Sequence, residues 1–396
     1  MVTVLLLIVI YLSFISLGLP DALLGSAWPS MYATLHVPLG YAGFIFMLIA
    51  GCAALSSIFS VRIIRRFGTG IVTAVSVFMT AAALIGFSLS GSFVYLCLCA
   101  LPLGLGSGSI DAALNNYVAL HYKARHMNWL HCFWGIGASL GPVIMSSFLL
   151  RDNAWGEGYR AVGILQLCLA LLLFLSLPLW RKNKPAENPA RHTHIEFKKL
   201  LHIPGVTEAL IAFFCYCAVE TIIGLWGASF LVIIKGIPPE IAAQWIAFFY
   251  IGITAGRFLT GFITIKINNR LMIRLGQAMI GGGIIILILP LESTAALPGL
   301  CMLGLGCAPI LPALLHETPV NFGERNSQAI IGLSMGSFYI GTTVLPPLFG
   351  WLASLTGFAL FPIFVGIALL IKIVLVEALN RKVQAGKNGN MLYPRE

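Results

Sequence analysis

RKNKPAENPARHTHIEFKKLLHIP, Arg181 to Pro204, is the longest polar break in an otherwise apolar chain. It is basic and interrupted by Pro185, Pro189 and Pro204, so it neither enters a bilayer nor continues a helix. On each side of it lies about 180 residues of chain rich in Leu, Ile, Gly and Phe. A spanning helix needs about 20 mostly apolar residues, and each side divides into six such runs. The expected segments are 3–34, 39–62, 69–90, 93–121, 127–150 and 159–181, then 205–235, 240–267, 271–291, 294–318, 325–353 and 356–379. The chain therefore reads as six spans (1–181), a cytoplasmic linker (182–204), six spans (205–380) and a cytoplasmic tail (381–396).

Composition excludes the soluble classes. Of the 396 residues 59% are hydrophobic and 10% charged, and the mean hydropathy is +0.93, far above a water-soluble domain. The net charge of +10 would suit an acidic partner such as nucleic acid, but the placement of the basic residues argues for topology instead. Arg62, Arg65 and Arg66, Lys123 and Arg125, the Arg181–Lys199 group, Lys266, Arg270, Arg274, Arg325 and the group from Lys372 to Arg395 all fall at alternate joints or at the C-terminal end. Only Arg151, Arg160 and Lys235 fall on the other side. The positive-inside rule then puts both termini and the linker in the cytoplasm, in the inner (plasma) membrane. The first run is longer than a signal peptide and has no basic lead, so it is expected to stay in the membrane. All nine cysteines lie in expected helices and read as small buried hydrophobes, with no metal spacing.

The two sets of six resemble one another. At an offset near 200 residues, PDALLG (Pro20–Gly25) meets VETIIG (Val219–Gly224), and LGLG at Leu103 meets LGLG at Leu303. GIGASLGP (Gly135–Pro142) is repeated loosely as YIGTTVLPP (Tyr339–Pro347). Repeated six-helix halves are similar to the major facilitator superfamily, where substrate binds near the midplane between the halves. The fold class that follows is all-α integral membrane, with twelve transmembrane helices in two pseudo-symmetric six-helix bundles.

Three acidic residues stand inside this apolar chain. In GSGSIDAALNNY (Gly106–Tyr117) and the turn just before it, Gly104, Ser107, Gly108, Asp111 and Asn115 recur at helical spacing and share one small, polar face. Asp21 lies in the first span and Glu220 in the seventh. A charged Asp at a helix centre costs about 2.5–3.5 kcal/mol on insertion scales, so such residues face an internal cavity and serve a function. A carboxylate there can gain and lose a proton, and Asp21, Asp111 and Glu220 are the candidates for proton coupling. The structural alternatives are a protonated carboxyl donating one hydrogen bond or a fixed ion pair, chiefly with Arg257 in the eighth span, which reads as a gating or pairing cation or as a side chain reaching the inner headgroups.

Substrate candidates are the amide and aromatic groups near the same level: Asn115, Tyr117, Trp28, Asn128, His131, Trp134, Trp226 and Tyr250. Amides and carboxylates match sugar hydroxyls, and indole rings match the C–H face of a sugar ring. The alternative for each aromatic is the interfacial belt or helix packing, and for His131 an interhelical hydrogen bond. Gly104, Gly106, Gly108, Gly135, Gly137 and Gly141 are expected to bring helices close. LGLGSG follows no strand and lacks the Gly-Lys-Ser/Thr ending of a phosphate loop. No cofactor or metal is expected, and no constellation of an enzyme is present.

GLGSGSIDAALNNYVA, HMNWLHCFWGIGASLGP and RIIRRFGTG resemble the fucose permease (fucose–galactose–glucose:proton symporter) group of that superfamily. The resemblance implies that Asp21 and Asp111 act in proton coupling and sugar recognition and that Asn115 is the family's asparagine on the fourth span. The chain departs from the family in having aspartate where the fourth span carries glutamate, and in lacking an acid in Val61–Arg66. Glu220 is an additional acid.

The function expected from these readings is secondary active transport, as symport of a sugar-like solute with protons, sodium being the alternative ion. The expected partners are that solute and the lipid bilayer, without nucleic acid, and the chain is expected to be a monomer. Proton-driven efflux of an amphipathic compound and a non-transporting membrane sensor are the alternatives.

Overall fold

A computed structural model describes residues 2–122, 124–151, 154–181, 200–263 and 267–388. The first half contains α1 (Val2–Asp21), α2 (Leu23–Thr34), α3 (Ala42–Phe67), α4 (Thr69–Ser88), α5 (Phe93–His121), α6 (Ala124–Leu149) and α7 (Trp155–Arg181). The second contains α8 (Val206–Lys235), α9 (Pro239–Ile263), α10 (Asn269–Ile288), α11 (Ala296–Cys307), α12 (Ile310–Phe322), α13 (Glu324–Thr356) and α14 (Phe361–Asn388). Together they supply twelve segments long and apolar enough to cross a bilayer.

Local chemistry sets several of the ends. The Ser92 side chain accepts from the Tyr95 amide at the start of α5, and Asn268 does the same for Leu271 at the start of α10. Gly236, in the left-handed region at φ 67°, ends α8.

Two expected spans are each broken into two helices. The first, expected as one helix over 3–34, stops at Asp21 and restarts at Leu23, immediately after Pro20. The tenth, expected over 294–318, stops at Cys307 and restarts at Ile310, around Pro309. Proline removes one helical donor in each case and its ring crowds the preceding turn. The last span is longer than expected: α14 runs to Asn388, so 381–388 of the expected tail is helix, and Lys382 pairs with Glu208 across to α8. Linker residues 182–199 and tail residues 389–396 lie outside the described residues.

Within the first half α1 packs on α6, α4 on α5 and α7, and α3 on α5; within the second α8 packs on α13 and α14, and α11 on α9 and α10. The halves meet through α6 with α9, α3 with α13, and α2 with α8. The aligned glycines of the internal repeat lie at this last contact: a Cβ at Gly25 would stand 2.2 Å from the Gly224 carbonyl oxygen. Only glycine permits that approach. The other glycines singled out in the sequence also sit against neighbouring helices, Gly108 against Ala53 and Gly137 against Ile15 among them.

Large apolar side chains such as Ile58, Leu175 and Val374 point outward. In water this surface would aggregate; in lipid it is the solvent-facing side. One basic residue departs from the sequence reading. Lys372 is not at the basic cytoplasmic end of the last span but halfway along it, 0% exposed, with Nζ 5.3 Å from the centre of the Tyr216 ring.

Candidate functional site

A cavity of ≈ 280 Å³ lies between the halves, just below the range of about 300–1,000 Å³ for ligand sites. α1, α3, α5 and α6 from the first half and α8, α9 and α13 from the second supply its walls. All three intramembrane acids, Asp21, Asp111 and Glu220, line it, together with Trp134 and Tyr250.

Each acid has a different set of partners. Asp21 ends α1, and its Oδ2 accepts from the Trp134 indole N–H at 2.7 Å. Tight contact of α1 with α6 makes this possible, since a Cβ on Gly18 would fall 2.1 Å from the Trp134 carbonyl oxygen. Asp111 Oδ1 accepts from Asn115 Nδ2 at 2.8 Å, one helical turn on. Its Oδ2 accepts at 3.5 Å from the Tyr339 hydroxyl, which belongs to the opposite half. Glu220 Oε1 stands 3.9 Å from Arg257 Nη2, both side chains being 12% exposed. Glu220 Oε2 and Arg257 Nε are buried without a hydrogen-bond partner. The Arg257 guanidinium in turn lies over the Trp134 ring, 5.2 Å from its centre, a cation–π contact between the halves.

Asp21 and Asp111 therefore hold neutral donors only; among the described residues neither is in an ion pair. The expected fixed pairing with Arg257 falls to Glu220 alone. Asn115 reaches the site through Asp111, and Arg257 through Glu220 and Trp134.

The remaining candidates lie elsewhere. Trp28 is 0% exposed and its N–H donates to the Leu39 carbonyl at 2.6 Å. Trp226, also 0% exposed, donates to the Pro346 carbonyl and packs beside Phe358. Both are core residues away from the cavity, because their indole faces turn toward neighbouring helices. Tyr117 stacks on His121 at 4.0 Å and meets Trp180 inside the first half. His131 faces Phe14 edge-on at 5.9 Å. Neither lines the cavity. The side chain of Asn128 lies outside the described residues.

Sequence reasoning missed Tyr339, Phe338, Thr342 and Thr221. The internal repeat held the signal for Tyr339. Tyr339-Ile340-Gly341 aligns with Gly135-Ile136-Gly137, which places Tyr339 beside the counterpart of Trp134.

A twelve-span helical membrane protein with a cavity between its two halves, three carboxyl groups set in its mostly apolar wall, is a solute carrier in architecture. The chain belongs to the Major Facilitator Superfamily, whose family model matches residues 10–318, and it is accordingly a transporter and not an enzyme. It is 24% identical over 279 residues to Bypass of stop codon protein 6 of Saccharomyces cerevisiae, covering 63% of this chain but only 55% of that protein. It is 23% identical to the glucose/mannose transporter GlcP of Bacillus subtilis, covering 67% of each chain. It is 22% identical to the cis,cis-muconate transport protein of Acinetobacter baylyi, covering 87% of this chain and 86% of that one. In structure it is similar to a bacterial homologue of the human lysosomal transporter Spinster in an inward-facing, unoccupied conformation, at TM-score 0.74 and 12% identity, with 95% of this chain and 97% of that chain covered. At that identity the likeness shows the fold alone. These matches assign the chain at the level of the superfamily.

Proposed function

We propose that this protein is a proton-coupled symporter of a sugar or similar polyhydroxylated solute, working by alternating access as a monomer in the inner (plasma) membrane with both termini cytoplasmic. The observation that carries the reading is the pairing of Asp21 and Asp111 with neutral donors only, on the wall of one cavity. A carboxylate beside a cation has a counter-charge that favours its ionised form. One held by an indole, an amide and a phenol has no such counter-charge, and a proton is the available neutralising partner.

The cargo class follows from the same wall. Asp111, Thr221, Thr342, Tyr250 and Tyr339 offer acceptors and hydroxyl donors for a polyol, and Trp134 a flat apolar face. The resemblance to GlcP supports a sugar.

Opening and closing would act on contacts between the halves. Tyr339 to Asp111 and Arg257 to Trp134 are bonds across the cavity, and a solute entering between them competes for the same groups.

Uptake of labelled monosaccharides into proteoliposomes, with an imposed gradient of protons or of sodium, tests the reading. Accumulation driven by protons is the expected result. No accumulation of any sugar under either gradient would contradict it. A second reading, carriage of an organic acid, is favoured by the muconate relative; the same vesicles with labelled dicarboxylates address it. Reversing the gradient addresses proton-driven export of an amphipathic compound.

A further inference from the structure

Pro20 takes away an amide hydrogen one residue before Asp21. In an unbroken α-helix the carbonyl of residue 16 accepts from the amide of residue 20. With proline there, the Ser16 carbonyl loses that donor inside a lipid-surrounded bundle that provides no bulk water. Its donor comes from a different helix. Gln166 of α7, 1% exposed, donates from Nε2 to the Ser16 carbonyl at 2.7 Å. A carbonyl takes only donors, so this contact fixes the amide with its nitrogen toward α1. The oxygen then faces the other way and accepts from the Thr80 hydroxyl of α4 at 2.6 Å. One glutamine thus ties α1, α4 and α7 at the turn where α1 ends, and it does so without lining the cavity.

The break has a direct consequence for the carboxylate beyond it. The chain leaves its helical track at Ala22 (φ −100°, ψ −5°) and α2 begins at Leu23. Asp21, between Pro20 and this turn, is thereby exposed to the cavity and within 2.7 Å of the Trp134 indole nitrogen, while Pro20 and Ala22 on either side are buried.

We propose that Gln166 is a positioning residue for the Asp21 site: by holding the carbonyl that Pro20 frees, it locks the break in α1 and fixes the approach of the Asp21 carboxylate to Trp134 and the cavity. The proposal rests on the reading of Asp21 as a proton-carrying group. It differs from a packing role in one respect that can be measured, because the need for Gln166 exists only while residue 20 lacks an N–H.

The test is a double-mutant cycle on the full-length protein in detergent or vesicles, joining Gln166→Met, which keeps length but removes the donor, with Pro20→Ala, which returns the helical N–H. Hydrogen exchange at residues 21–25 is the first readout. The pH profile of Asp21 labelling by dicyclohexylcarbodiimide, a reagent for protonated carboxyls in apolar surroundings, is the second. In the wild-type background Gln166→Met is expected to speed exchange about tenfold, the loss of one buried hydrogen bond, and to move the labelling profile along the pH axis. In the Pro20→Ala background it is expected to change exchange by less than about twofold and to leave the profile in place. Gln166→Glu, a donor only when protonated, is expected to match wild type in acid and Gln166→Met in alkali. Equal effects of Gln166→Met in both backgrounds, or none in either, would overturn the proposal. Exchange that follows the cycle while Asp21 labelling ignores pH would instead overturn the proton role of Asp21 and leave the tie in place.

Discussion

The two halves of this transporter hold their intramembrane acids in opposite ways. In the first half Asp21 and Asp111 hold an indole, an amide and a phenol, all neutral. In the second half Glu220 faces a guanidinium, at 3.9 Å. A repeat that places Asp21 and Glu220 at matching positions, four residues before the contacting glycines Gly25 and Gly224, thus leads to two different electrostatic devices. The difference teaches that position in the fold does not fix the role of an acid; its partner does. On this account the first half carries the proton and the second half carries a charge pair that solute and conformation loosen or tighten.

The largest effect expected from this contrast is at Asp111. Asp111→Asn keeps the size of the side chain but removes the titrating group, and proton-driven accumulation in proteoliposomes is expected to fall by about tenfold or more, while solute exchange without a gradient persists. Asp21→Asn is expected to do the same. Full accumulation in either would remove the contrast.

The pair in the second half gives the next effect. Arg257→Gln leaves Glu220 without its cation in a site 12% exposed, and is expected to lower thermal stability by about 1–3 kcal/mol, below the range for fully buried pairs because the pair is long and part-solvated. Adding Glu220→Gln is expected to restore part of that loss. Chemical-denaturation or thermal-shift measurements on the four members of the cycle read it, and strict additivity would argue that the two groups do not interact.

Trp28→Phe separates core from cavity. It removes the donor to the Leu39 carbonyl and is expected to cost about 1–3 kcal/mol of stability with transport per folded molecule unchanged; a selective loss of solute affinity would return Trp28 to the binding site. The smallest effect is expected at Tyr339→Phe. Its hydrogen bond to Asp111 is long, at 3.5 Å, so a change of about threefold or less in transport rate is expected.

Much of this was legible in the chain itself. The basic stretch at 181–204 and the apolar runs around it gave twelve spans because a continuous apolar run of about 20 residues satisfies its own backbone in lipid as a helix. The three acids were legible as well, since an ionisable group in a spanning helix has few tolerable places. The aromatics were not: a helical period leaves the rotation of each helix undetermined, and an indole fits a cavity wall or a packed core equally well. Trp134 faces the cavity, whereas Trp28 and Trp226 face carbonyls of Leu39 and Pro346. The breaks at Ala22 and Ala308 went unread because the runs around Pro20 and Pro309 stay apolar apart from Asp21. Hydropathy records no interruption there, although the missing amides do. Lys372 misled for the reverse reason: its charge sits near a basic C-terminal stretch in sequence, but the length of α14 carries it to the middle of the membrane.

Infrared difference spectroscopy of the reconstituted protein, titrated across pH while following the carbonyl band of protonated carboxyl groups, bears most directly on the contrast between the halves. The band is expected to grow as the pH is lowered and to lose one component in Asp21→Asn and another in Asp111→Asn, while Glu220→Gln leaves both components in place. A band unchanged by the first two substitutions would contradict the assignment of proton binding to the first half.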